Sequence, residues 1–219
     1  MPVASPLPDT EPPHDCPRCP RLVALRNELR LEHPDWWNAP VHAFGDAGAW
    51  LGIVGLAPGK HGANRTGRPF TGDYAGDLLY ETLGKFGLSN DRYDGRPDDG
   101  LMLDGAVIVN AVRCLPPQNK PTPKEINACR PFLADQRAAL PQLHVLVALG
   151  RIAHDSVLRM FGERLADHPF GHGAEHAMPD GAVLIDSYHC SRYNTNTRRL
   201  TPEMFEAVFA RALALKPAR

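Results

Sequence analysis

Four short apolar runs punctuate an otherwise mixed chain, at 50–55, 106–111, 144–149 and 182–187. Each is rich in Val, Ile or Leu and too continuous for a half-exposed strand. Each therefore predicts a strand covered on both faces. Between them, apolar positions recur at helical spacing over 20–31, 75–86, 123–140, 151–161 and 202–215. The third of these helices opens on Thr122, with Pro123 at the first helical position and Glu125 three residues after the cap. That arrangement satisfies the free N–H groups at a helix start. Thr201 is placed to cap the last helix. Strand and helix alternating in this way predict an α/β fold, a three-layer α/β/α sandwich around a four-stranded parallel sheet. Residues 89–104, SNDRYDGRPDDGLMLD, show no such period and read as a surface excursion.

In a parallel sheet, ligands bind beyond the carboxyl ends of the strands. The segments that leave the first, second and fourth strands are GLAPGKHGANRTGRPFTGD, NAVRCLPPQNKP and SYHCSRYNTNTRRL, the richest polar stretches of the chain. The topology puts all three on one edge. The first holds five glycines and two prolines, and Lys60, His61, Arg65 and Arg68 precede its only acid, Asp73. Glycine lets a backbone approach a ligand where a Cβ would block it. Cations, the flat ring of Phe70 and one carboxylate suit a phosphate-bearing ligand that carries a ring.

Composition narrows the field. With 219 residues, 43% of them hydrophobic, the chain suits one large globular domain, 14–219, behind a loose proline-rich tail, 1–13. A net charge of −1 excludes a global basic field for nucleic acid, so any DNA contact must come from local patches. Residues 189–200 hold three arginines and no acid, and residues 113–124 hold one arginine, two lysines and no acid. No run of about 18 apolar residues predicts a membrane span. The N-terminal residues lack the pattern of a secretory signal. The expectation is a cytoplasmic monomer whose five cysteines are reduced thiols or metal ligands.

Cys16 and Cys19 form a CxxC, and Cys114 and Cys129 are 15 positions apart. Four thiolates in two groups can enclose one site, and both zinc and a [4Fe-4S] cluster accept four cysteines. The spacing does not separate the two; packed core cysteines are the alternative, but the CxxC lies in a proline-flanked polar turn, a poor place for a merely packed thiol. Such a site would clip the N-terminal segment to the loop after the second strand. Cys190 is left over, beside His189.

Three polar residues stand out at the ligand edge. Asp73 ends the glycine-rich loop and can serve as a base or an electrostatic stabiliser, although its spacing favours an N-cap for the next helix. His189 follows the fourth strand, where a structural hydrogen bond is an equal alternative. Asn110 closes the second strand, and a polar amide there needs a purpose. It can bind a neighbouring loop or read a ligand edge with paired donor and acceptor.

GLAPGKHGANRTGRPFTGD, VNAVRC and SYHCSRYNTNTRRLT resemble the three signature regions of the uracil-DNA glycosylase superfamily. The long first loop ending in FTGD is similar to that of family 5, the type-b enzymes, and the cysteine pattern resembles that of families 4 and 5. The resemblance runs roughly from Cys16 to Thr201. It implies an enzyme of base excision repair that flips uracil out of DNA, with other deaminated bases as the wider candidates, and hydrolyses the N-glycosidic bond to leave an abasic site. It implies catalytic roles for Asp73, Asn110 and His189, and a base site formed by Gly55, Leu56, Ala57, Pro58, Gly59 and Phe70. It also implies DNA contacts by Lys60, Arg65, Arg68, Arg192 and Tyr193, and a [4Fe-4S] cluster on Cys16, Cys19, Cys114 and Cys129. Ala57, Cys190, Tyr193 and Arg198 depart from the superfamily pattern. Two other readings stay open: a module that binds damaged DNA without cleaving it, and a nucleotide phosphohydrolase. The latter is weakened by a loop without the GK[ST] ending of a P-loop.

Overall fold

The computed structural model describes residues 7–217. In chain order the elements are α1 (Pro20–Glu32), β1 (Phe44–Gly45), β2 (Leu51–Gly55), α2 (Ala63–Thr66), α3 (Tyr74–Lys85), β3 (Ala106–Asn110), α4 (Pro123–Ala139), β4 (Val145–Leu149), α5 (Arg151–Phe161), β5 (Glu175–Ala177), β6 (Val183–Ser187), α6 (Arg192–Asn196) and α7 (Pro202–Ala214). The sheet order is β1-β3-β2-β4-β6-β5. Its four central strands are parallel and coincide with the four apolar runs, in register through Leu51 with Ala106 and Val145, and Val145 with Val183. The expected four strands thus become six, because short antiparallel strands close both edges. At two and three residues, β1 and β5 are too brief to carry a period.

Alternation along the strands builds the two apolar layers. Leu51, Ile53, Ile108, Val145, Val147 and Ile185 meet Leu79 and Leu83 of α3 and Phe205 and Phe209 of α7. Val54, Val107, Val109, Leu146 and Leu184 meet Leu133 of α4 and Val157 and Leu158 of α5. This is the expected α/β/α sandwich. The capping box forms as the residue types dictate: Glu125 N–H donates to Thr122 Oγ1 at 3.3 Å, and Thr122 N–H to Glu125 Oε2 at 2.7 Å.

Two polar ties shape the ends of the sheet. Asp186, wholly buried on β6, accepts from His154 Nδ1 at 2.7 Å, His176 Nε2 at 3.0 Å and the Gly171 N–H at 3.2 Å. The second tie corrects the expectation of a loose tail over 1–13. Residues 1–6 lie outside the described residues, but Glu11 is built into the domain. Its Oε1 accepts from the Ala43 N–H at 2.8 Å, and its Oε2 meets Arg113 Nη1 at 2.9 Å as an ion pair off the hydrogen-bond line. Arg113 is 1% exposed, so it needs this carboxylate and cannot serve the cationic surface patch in which it was counted.

Candidate active site

β2 and β3 end next to each other and β6 ends on the same edge of the sheet, across β4, and the three polar segments leave from there. The first two are zipped at their start: the Ala111 N–H donates to Gly55 O at 2.9 Å and the Val112 N–H to Leu56 O at 3.0 Å. Together the segments wall an open cleft of about 350 Å³ that reaches Leu56, Ala57, Pro58, Gly59, Phe70, Asp73, Asn110, His189 and Arg192. All three expected catalytic residues therefore share one cavity. Gly55 lies behind the wall. Asn110 Oδ1 and the Phe70 ring crowd its α carbon so closely that a Cβ would have no room.

Asn110 ends β3, is 2% exposed, and holds a buried Oδ1 with no hydrogen-bond partner among the described residues. A buried acceptor left unpaired costs about 1–3 kcal/mol, so it stands ready for a donor on a ligand. Phe70 is buried, lines the cleft and has a left-handed backbone, φ 52°, which costs an ordinary residue about 1–2 kcal/mol. The Phe70 and His189 rings lie 6.0 Å apart at 27°. His189 has no resolved charged neighbour; burial alone pushes its pKa down to about 4, so at neutral pH it is an uncharged imidazole.

Asp73 is the N-cap that its spacing favoured, and it also lines the cleft. It caps α3, with Oδ1 accepting the Gly76 N–H at 3.2 Å, while Oδ2 faces Gly59 and Gly62 under the loop. Burial raises its pKa, the backbone N–H groups of Gly76 and Ala75 oppose that, and Asp77 adds a smaller upward push.

The expected DNA contacts divide. Arg192 extends over the Tyr74 ring at 5.2 Å, and Tyr193 is 72% exposed beside it on α6. The Thr195 hydroxyl ties α6 back to Tyr74 Oη at 3.1 Å. Lys60 and Arg65 are exposed on the first loop, Lys60 with Glu32 at 3.8 Å. Arg68 overturns its expectation. It is 6% exposed and forked onto Asp99, with both bonds at 2.7 Å, so it cannot reach a phosphate. Its partner lies in the excursion 89–104, a pairing no local pattern announces.

Asn119, Tyr74 and Ser191 also line the cleft and escaped the reading of the sequence. Asn119 was flagged only within a cationic run. Its signal is the turn chemistry of Pro-Pro-Gln-Asn, for Gln118 and Asn119 both adopt positive φ. The departures in the third segment also find explanations. Arg198 stands at φ 56°, where glycine would be unstrained, and Cys190 is wholly buried with its thiol on Ala75 O at 3.4 Å.

The four remaining cysteines converge on the far side of β3 in a pocket with Val112 and Phe132, flanked by Arg18, Arg26 and Arg113. The Arg113 N–H donates to Cys129 Sγ at 3.3 Å. Burial raises the thiols, Cys19 to about 11 and Cys114 to about 12. Among the described residues, the His, Cys, Asp or Glu ligand atoms that gather in threes within 4.8 Å are those of His154, His176 and Asp186.

Residues 42–213 match the model of the uracil DNA glycosylase superfamily. The chain belongs to that superfamily. It is 48% identical over 205 residues to a type-5 uracil-DNA glycosylase of Thermus thermophilus, covering 91% of this chain and 93% of the relative. It is 41% identical to a type-5 uracil-DNA glycosylase of Pyrobaculum aerophilum, covering 91% and 88%. A type-4 uracil-DNA glycosylase of Sulfurisphaera tokodaii is 30% identical, covering 76% and 71%. The superfamily match takes in the whole cleft, from the first loop to α6, and ends within α7.

Proposed function

We infer that this superfamily member hydrolyses the N-glycosidic bond of uracil in DNA and leaves an abasic site. The observation that carries the reading is the convergence of Asp73, Asn110, Phe70 and His189 on one cleft at the carboxyl edge of the sheet. Glycosidic cleavage passes through a state with positive charge on the sugar and negative charge on the departing group. Asp73 supplies the carboxylate that stabilises the sugar or orients water. The neutral His189 and the backbone of 56–59 supply hydrogen bonds to the departing base. Phe70 offers the flat face. The unpaired Asn110 Oδ1 accepts from the N3–H of uracil, a position where cytosine has only a lone pair. Arg192 and Tyr193 approach the duplex, and Lys60 and Arg65 its phosphates.

The four cysteines gathered in one pocket supply a donor set that both a [4Fe-4S] cluster and zinc accept, and the cluster is the reading adopted. Cys16, Cys19, Cys114 and Cys129 would hold a [4Fe-4S] cluster, whose part is to clip the N-terminal segment to the loop after β3.

Incubation with duplex DNA containing one uracil, followed by alkali, is expected to cut the strand at that position. An intact strand at high enzyme overturns the reading, and binding without release then favours a non-catalytic module. Parallel substrates carrying hypoxanthine and xanthine define the range of bases.

A further inference from the structure

The excursion 89–104 has no ligand-facing part in the cleft, yet it grips the segment that presents Phe70 from both sides. Asp99 holds the Arg68 guanidinium in a fork, both bonds at 2.7 Å. Arg68 Nε in turn donates to Thr71 Oγ1 at 2.8 Å, which fixes the residue after Phe70. The residue before it is fixed as well, because Tyr80 Oη donates to Pro69 O at 2.6 Å. Tyr93, also from the excursion, stacks on Tyr80 with centroids 4.4 Å apart, and its Oη reaches Phe70 O and the Gly72 N–H at 3.4 Å. Between these supports Phe70 stands at φ 52°, a conformation an isolated phenylalanine leaves readily. A strained backbone persists only where its surroundings over-determine it, and here Arg68, Asp99, Tyr80 and Tyr93 supply the supports from beyond the loop, while Thr66 Oγ1 adds a local tie to Arg68 O at 3.4 Å and Thr71 O at 3.2 Å.

We propose that Asp99, acting through Arg68 and Thr71, and Tyr93, together with Tyr80, are positioning residues that hold Phe70 in its left-handed conformation and so set the stacking face of the cleft. The role assigned to the face rests on the proposed glycosylase reading; the strut itself does not. Arg68 is 6% exposed and Asp99 is held well below the ordinary carboxylate range, mainly by its bonds to Arg68, so the pair stays charged and closed at physiological pH. The strut predicts loss of base placement without loss of DNA affinity.

The test is a double-mutant cycle on single-turnover uracil release, with Asp99→Asn, Tyr93→Phe and Phe70→Ala. Asp99→Asn and Tyr93→Phe should each slow release about 10- to 100-fold at saturating enzyme, with DNA affinity unchanged. In the Phe70→Ala background the same changes should slow it less than about two-fold further, because the ring they position is gone. Full multiplication of the effects would show general loosening and overturn the proposal. A second readout needs no activity. With 4-fluorophenylalanine incorporated at position 70, the fluorine resonance should shift or broaden on Asp99→Asn while the far-ultraviolet dichroism stays native. An unchanged resonance overturns the strut. Absence of release by the wild type with a shifted resonance overturns only the glycosylase reading.

Discussion

Asp73 divides its carboxylate, one oxygen on the α3 cap and the other against Gly59 and Gly62 of the first loop. Spacing favoured the cap, which the structure shows, and resemblance favoured the catalyst, which the variants below test. The charge states of Asp73 and His189 determine the pH profile. Burial raises Asp73 above 3.8, so it takes up its proton on the alkaline side of an ordinary aspartate, and release falls as pH drops through that point. His189, held down to about 4 by burial, is neutral at physiological pH. Asp73→Asn keeps an acceptor for the cap. It should slow single-turnover release about 100-fold or more and abolish the acid limb of the profile. His189→Gln should lower the rate and keep the limb. A limb near the ordinary imidazole value of about 6.5 that vanishes in His189→Gln would overturn this assignment of charges.

Among the elements, the segment before α1 shows what a single buried charge demands. Glu11 and Gln136 are the partners of an Arg113 that is 1% exposed. Glu11→Ala leaves that guanidinium buried without its counter-charge, a defect that typically costs about 3–5 kcal/mol. Thermal melts should show the loss, and a melting point unchanged within a degree or so would mean that water replaces the carboxylate. The contrast with Thr122 explains what was legible. Its capping box spans four consecutive positions, so residue type alone announces it. The four central strands were legible because burial on both faces leaves continuous apolar runs. The Glu11–Arg113 and Arg68–Asp99 pairs were not, because a buried ion pair joins distant segments and leaves no period in either. The cationic residues of the loops looked alike in sequence, yet Arg113 and Arg68 are consumed inside while Arg65 and Arg192 face out. For the cleft, Asp73, Asn110 and His189 were visible because they sit where strands end. Asn119 was not, because its strained turn depends on its neighbours.

Across the whole molecule, the sheet's carboxyl edge carries the cleft and the cysteine pocket lies behind β3. No helix among the described residues is long and apolar enough to cross a membrane. Protein purified without air should show a broad brown absorption band and contain iron, and Cys114→Ser should lose both and melt at a lower temperature. Zinc in place of iron, without the band, would overturn the cluster assignment. The position of α1 has a consequence for biogenesis. Arg21 pairs with Glu125, 104 residues later, and Cys16 and Cys19 share their pocket with Cys114 and Cys129. α1 precedes β3 and α4 in the chain, so the face that meets them is covered only once they exist, although Asn38 already holds its C-terminal end through Leu29 O and His33 O. Two neighbouring thiols travel unprotected through that interval, and a bond between them would leave the N-terminal segment without its dock.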